Sequence, residues 1–366
     1  VVLLPACSSS GDGDAETPAR NVILMIGDGM GAAQREAGRL DQEGVDGRLA
    51  MDSLPVTGLQ TTNPADPEGL VTDSAAAATA WATGETTYNG AISVDLDGNA
   101  LPTLGLEASA AGRATGLVTT SEVTDASPAA FFSNVPDRDS QETIARQYLE
   151  FGGPSVIFGG GEDVWTSGED LLGTAEEGGY ELLTDAEDLG TDGERLLGLF
   201  AEGPMYEEEE PEVSLAEMTQ AALDVLSRNE DGFFLVVEEE GIDAAGHDND
   251  EQALLEGMRS LDDAVEVARD FVAKHPQTLL IVAGDHETGG LSVEGVSPED
   301  EGDDDTSFPV AGSDRRFDLD WTTGDHTGVP TPVSAEGPGS GRLSGSYANT
   351  RLHGVMRDAL LPEAPE

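Results

Sequence analysis

The sequence predicts an α/β fold: a doubly wound, mostly parallel central sheet flanked by helices, with small acidic loop insertions. Three observations carry that prediction. Short apolar runs recur along the chain, at Asn21 to Gly27, Ala114 to Thr119, Val156 to Phe158, Phe233 to Val237 and Leu279 to Ala283. Strands buried on both faces read as such near-continuous runs. Helical patterns lie between them, and strands alternating with helices argue for a parallel sheet.

The elements follow in order. Asn21-Val22-Ile23-Leu24-Met25-Ile26-Gly27 is a buried strand, and Asp28-Gly29-Met30-Gly31 a tight turn after it. The alanines after Ser74 favour a helix, with Gly84 as its stop. A helix is expected over Leu215 to Leu226, and another over Asn349 to Leu360. The clearest helix spans Asp250 to Ala273. There Leu254, Met258, Leu261, Val265, Ala268 and Val272 form one apolar stripe. Residues 160–212 and 295–320 are rich in Gly and acids, with weak periodicity, and read as peripheral loops or small insertions. Glu207 to Glu210 and Asp303 to Asp305 read as solvated loops.

Composition excludes several functions. Among 366 residues, 73 acids face 17 bases, for a net charge of -56. Nucleic acid is therefore an unsuitable partner, as is an anionic membrane surface. Spread over a surface, such an excess keeps a protein hydrated, and salt screens the self-repulsion. The composition reads as adaptation to high salt; calcium binding by the acids is the sharper alternative. The single cysteine excludes an internal disulfide framework and a Cys-rich zinc module. No apolar run reaches the length of a membrane-spanning helix.

Five motifs carry chemistry. In Ile26 to Gly31, Asp28 sits among glycines that let the backbone approach a metal or phosphate. In Val71 to Gly84, Ser74 opens a helix whose free N–H groups favour an anion; alternatively, Asp73 or Ser74 is only an N-cap. Glu238 precedes Asp243 and His247, whose i, i+4 spacing shares one helix face and suits zinc. Asp285-His286 follows a buried strand, where sites of such sheets are found. His326 lies among small residues in Thr322 to Gly328. Of five histidines, His247, His286 and His326 fall in these Gly- and Asp-rich settings. His275 and His353 read as structural or surface residues.

Joined in order, the motifs resemble the alkaline phosphatase family from about Asn21 to Leu360. The signatures are Ile26 to Gly31, Asp73-Ser74-Ala75-Ala76-Ala77, Val118-Thr119-Thr120 through Asp125 to Ala130, Ile242-Asp243 to His247, Asp285-His286 and His326-Thr327-Gly328. The resemblance implies a single catalytic domain over residues 21–366 and hydrolysis of phosphate monoesters through a phosphoserine. It implies two Zn2+ and one Mg2+ per subunit, and a homodimer. Ser74 would be the nucleophile and Arg138 the phosphate clamp. Asp243, His247 and His326 would hold the first zinc, and Asp28, Asp285 and His286 the second. Asp28 would bridge to magnesium with Asp125, Ser127 and Glu238. Glu238 is chosen from Glu238-Glu239-Glu240 because it stands five residues before Asp243, as in the family pattern. Two departures concern the ligands' surroundings. Ala244 stands where relatives often carry Lys or His, and Thr288 where some carry His. Rival readings are a phosphodiesterase or sulfatase of the same superfamily, and an acidic cation-binding protein without catalysis.

The first residues stand apart. Leu4-Pro5-Ala6-Cys7 resembles the bacterial lipoprotein cleavage box, which implies a lipidated Cys7. The alternative is a shortened signal peptide with an incidental cysteine. Residues 1–20 thus read as a truncated signal segment and polar linker. Either reading implies export to the periplasm or exterior, and lipidation would tether the protein to the envelope.

Overall fold

The computed structural model describes residues 19–67, 69–208, 211–296 and 307–361. Cys7, most of the N-terminal segment and Asp303 to Asp305 lie outside the described residues. The first eight strands are β1 (Asn21–Gly27), β2 (Val56–Thr61), β3 (Ala114–Glu122), β4 (Val156–Gly160), β5 (Glu181–Leu183), β6 (Leu196–Leu199), β7 (Phe233–Glu239) and β8 (Thr278–Gly284). Then come β9 (Glu287–Thr288), β10 (Ser292–Gly295), β11 (Phe308–Pro309), β12 (Arg316–Asp320), β13 (His326–Thr327), β14 (Thr331–Glu336) and β15 (Gly345–Ala348).

Ten strands form one sheet in the order β15-β2-β14-β8-β1-β7-β3-β4-β6-β5. From β8 to β5 every neighbouring pair is parallel. β14 runs antiparallel to both β8 and β2, so the sheet is mixed towards one edge. Every residue of β1, β7 and β8 is buried, as expected of strands covered on both faces. Alternation divides β1 between two cores. Val22, Leu24 and Ile26 pack on the face that holds Trp81 and Phe131; Ile23 and Met25 pack on the face that holds Met258 and Leu261.

The expected helices form. Leu215–Leu226 opens with a capping box between Ser214 and Glu217. Glu251–Lys274 buries the predicted stripe, and the Asp250 side chain accepts from the Ala253 N–H to cap it. The last described helix is Thr350–Leu360.

Residues 160–212 depart from the expectation of loops alone. They contribute β5 and β6, which extend the main sheet. The strands span three and four residues, too few for periodicity to stand out, yet Leu183, Leu196 and Leu197 are buried. β11 and β12 join β10 in a separate three-stranded sheet.

The register positions the functional edge. Ile26 of β1 stands beside Glu238 of β7 and Ala283 of β8. Thr119 of β3 stands beside the same Glu238. The turns after β1, β7 and β8 therefore emerge side by side, carrying Asp28, Glu240 and Asp285-His286.

Candidate active site

Ser74 is the first residue of the helix Ser74–Thr83, and its N-cap is Asp73. The Asp73 carboxylate accepts from the Ala76 N–H at 2.9 Å and from the Gly90 N–H at 2.7 Å. Capping therefore falls to Asp73 and leaves the Ser74 hydroxyl free for other work. Its Oγ lies 3.3 Å from His286 Nε2. Arg138 reaches the same place, with Nη2 2.9 Å from Asp125 and Nη1 3.5 Å from Asp73. Burial opposes its charge, but the carboxylates of Asp125 and Asp73 outweigh that and raise its pKa.

Asp243 and His247 share one turn of the helix Gly241–Asp248, with Asp243 Oδ2 3.2 Å from His247 Nε2. His326 Nε2 lies 3.5 Å from Asp243 Oδ1 and 3.1 Å from His247 Nε2. The Nδ1 atoms of both rings face carbonyl oxygens, His247 at Gly324 (2.7 Å) and His326 at Thr72 (2.9 Å). That places the proton on Nδ1 in the neutral rings and turns two Nε2 lone pairs towards Asp243, an arrangement suited to a bound cation. His286 also belongs with Asp243 and His326 in one possible ligand group.

Asp28, Asp285 and His286 form a second group, fully buried. His286 Nε2 lies 3.1 Å from Asp285 Oδ2 and 3.4 Å from Asp28 Oδ1. Neither of those carboxylate oxygens has a hydrogen-bond partner. Burial and neighbouring carboxylates push both acids well above the usual carboxylate range. Burial pushes His286 well below an ordinary histidine, favouring the neutral ring that a metal requires. Gly29 permits this packing. It has φ +68°, and a Cβ there would lie 2.8 Å from Asp243 Oδ1.

A third group is Asp28, Glu238 and Glu240. Glu238 Oε2 accepts from Thr119 Oγ1 at 2.7 Å, and its Oε1 is buried without a partner. Burial and the Asp125 charge push its carboxyl up to about 7. Ser127 Oγ lies 3.5 Å from Asp28 Oδ2. Asp125 is engaged elsewhere, by Arg138, Ser121 Oγ and the Ala126 N–H. Glu239 turns away and accepts from Thr120, Ser260 and the Gly241 N–H.

Three neighbouring sets of oxygen and imidazole donors, two of them buried and one opening to solvent at His247 and His326, with orphaned carboxylate oxygens, fit bound cations well. A cavity of about 670 Å³ lies nearby, lined by Tyr206, Glu239, Ala244 and Ser260 among others, and none of the candidate ligands lines it.

The structure brings together Asp28, Ser74, Asp125, Ser127, Arg138, Glu238, Asp243, His247, Asp285, His286 and His326. It adds residues that sequence reasoning had not given a role. Thr288 Oγ1 donates to Asp243 and lies 3.2 Å from His286 Nδ1. Buried Glu287 accepts from Gln34 Nε2 (2.8 Å), the Leu291 N–H (3.0 Å) and Thr327 Oγ1. It thereby clamps the β9–β13 ribbon, in which His326 pairs with Thr288. Thr288 was visible in sequence only as a departure, and Glu287 only as a neighbour of Asp285-His286.

Fold and site together define a class, the metal-dependent ester hydrolases built on a mostly parallel α/β sheet. The family model for alkaline phosphatase matches residues 19–306. A streptomycin-6-phosphate phosphatase from Streptomyces griseus is 36% identical, over 98% of this chain and 94% of its own. The crystal structure of a cold-active alkaline phosphatase from a psychrophilic Shewanella sp. has a TM-score of 0.83 and 33% identity, covering 94% of this chain and 100% of its own. A histidine-to-aspartate variant of TAB5 alkaline phosphatase, with Mg bound in its M3 site, has a TM-score of 0.81 and 29% identity, covering 94% and 99%. This chain belongs to the alkaline phosphatase family. It is a metal-binding phosphoric monoester hydrolase.

Proposed function

We propose that this chain hydrolyses phosphate monoesters through a covalent phosphoserine at Ser74, using two Zn2+ and one Mg2+ per subunit. The observation that carries this reading is the place of Ser74 Oγ, at a helix N-terminus and 3.3 Å from the imidazole that joins two donor groups. Asp243, His247 and His326 would hold one zinc, and Asp28, Asp285 and His286 the other. Asp28, Asp125, Ser127 and Glu238 would hold magnesium, an ion suited to oxygen ligands. When bound, these cations supply the positive charge that favours the Ser74 alkoxide and the departing alcohol oxygen.

The residues do the rest. Arg138 binds two oxygens of the phosphoryl group and directs phosphorus at Ser74. The ion pairs to Asp73 and Asp125 preset that guanidinium. Ser74 gives its hydroxyl proton to solvent, its Oγ attacks phosphorus opposite the alcohol, the bond from phosphorus to the alcohol oxygen breaks, and that oxygen takes a proton from solvent. The helix N-terminus offers N–H groups to the resulting phosphoserine. Water then attacks from the vacated side and gives up its proton. The bond between phosphorus and Oγ breaks, Ser74 recovers a proton, and phosphate leaves. Positioning and charge dominate such a transfer, so broad monoester specificity is expected.

The same reading takes residues 21–366 as one catalytic domain, working as a salt-tolerant homodimer outside the cytoplasm. A lipid anchor at Cys7 would tether it to the cell envelope. No helix among the described residues is long and apolar enough to cross a membrane. The test is hydrolysis of p-nitrophenyl phosphate at alkaline pH and high salt, before EDTA, after it, and after zinc and magnesium are restored. Activity that disappears and returns only with both metals supports the reading. A folded, fully loaded protein that leaves this monoester intact but cleaves a diester or a sulfate ester overturns it.

A further inference from the structure

Glu240 is a carboxylate at this centre to which the family resemblance assigns no role. It follows β7, two residues after Glu238. One oxygen each from Asp28, Glu238 and Glu240 lies within 4.8 Å of the others. A second observation points to a ligand. Glu238 Oε1 belongs to a fully buried side chain and has no hydrogen-bond partner. Glu240 is itself only 8% exposed, which separates it from the solvated acids that dominate this chain. Its backbone N–H donates to Thr120 Oγ1 at 3.0 Å, fixing the chain at that point. Asp125 is already held by Arg138 (2.9 Å), Ser121 Oγ (3.0 Å) and the Ala126 N–H (2.7 Å), and lies outside the group.

We infer that Glu240 is a direct carboxylate ligand of the third metal site, beside Asp28 and Glu238, in the place given above to Asp125, which acts mainly by orienting Arg138. This rests on the three-metal reading given above. The donor set is all oxygen and strongly anionic, so its ligand is a hard divalent cation such as Mg2+. A buried acid placed among two others without a cation would suffer their repulsion together with the loss of water. A shared cation relieves both.

The test is calorimetric titration with MgCl2 of the zinc-loaded protein freed of magnesium. Wild type is compared with Glu240→Gln, Glu240→Ala and Asp125→Asn, and the zinc content of each is measured. Glu240→Gln and Glu240→Ala are expected to weaken Mg2+ binding by about tenfold or more, the scale seen when even outer partners of a metal site are lost. Asp125→Asn is expected to weaken it less, and zinc content to stay at the wild-type value throughout. Glu240→Asp, which keeps the charge, checks the case in which a neutral variant fails to fold, and is expected to bind more tightly than Glu240→Gln. Unchanged Mg2+ affinity in the folded Glu240 variants overturns the inference and leaves the three-metal reading standing. Joint loss of zinc and magnesium overturns the ligand role as well, because it assigns Glu240 to general support of the centre. Wild-type protein that binds no Mg2+ when loaded with zinc overturns the three-metal reading itself.

Discussion

At the residue scale, the centre is organised by what each polar side chain does with its second atom. The Nδ1 atoms of His247 and His326 face carbonyl oxygens, which leaves their Nε2 atoms for Asp243 and a cation. Ser74 is free because Asp73 caps the helix. Ser74→Ala is therefore expected to abolish nearly all turnover while zinc content and melting temperature hold; wild-type turnover would remove Ser74 as nucleophile. Arg138→Ala is expected to raise KM and weaken inhibition by phosphate, read from a substrate titration with added phosphate. The pH dependence follows from His247. In the metal-free protein the hydrogen bond to Asp243 raises its pKa to about 9. Its protonated form therefore favours the metal-free fold below about 6.5, and that contribution is lost as pH rises through about 9. Zinc must displace this proton, so zinc affinity is expected to climb with pH up to about 9 and then level off. Competition with a chelator across pH reads it, and a flat profile would detach His247 from the metal.

At the element scale, strand register and helix caps convert separated motifs into one centre. β1, β7 and β8 end side by side, so residues some 250 positions apart in sequence meet, as when the Gly29 N–H donates to Asp285 Oδ1 at 3.1 Å. The β9–β13 ribbon then ties His326 to the Asp285-His286 turn through Glu287. Glu287→Ala is expected to lower zinc retention, measured by metal analysis after dialysis, although Glu287 belongs to none of the ligand groups. Leu261 is fully buried on the long helix, beside Gly27 at the end of β1, and packs in the core that holds Met25 and Met258. Leu261→Ala is expected to cost about 2–5 kcal/mol of stability, read by denaturant unfolding of the metal-loaded protein.

At the scale of the whole molecule, charge is the dominant feature. A net charge of -56 spread over the chain opposes compaction at low ionic strength. Few bases are present to neutralise it, and several of them, such as Arg35, Arg138 and Arg259, are committed to ion pairs. The melting temperature is expected to rise as NaCl is raised from low to molar concentration, read by thermal scans at fixed metal loading. A melting temperature indifferent to salt would remove high-salt adaptation as the reason for the acid excess.

The fold class and the candidate residues were legible in the sequence, because both rest on local patterns. Buried parallel strands need continuous apolar runs, and the long helix needs a stripe at helical spacing. Metal-ligating acids and histidines beside glycines stand out where histidine is scarce. The capping alternative for Ser74 stayed open until the structure placed Asp73 at the cap. The short strands β5 and β6 passed for loops because three or four residues carry no readable period. The choice within Glu238-Glu239-Glu240 depended on the facing of successive side chains: Glu239 turns to Ser260, and Glu238 and Glu240 turn to Asp28. Sequence alone determined which chemical groups are present and which segments carry them. Tertiary structure decided which of those groups meet, because hydrogen-bond partners and burial depend on contacts between segments hundreds of residues apart.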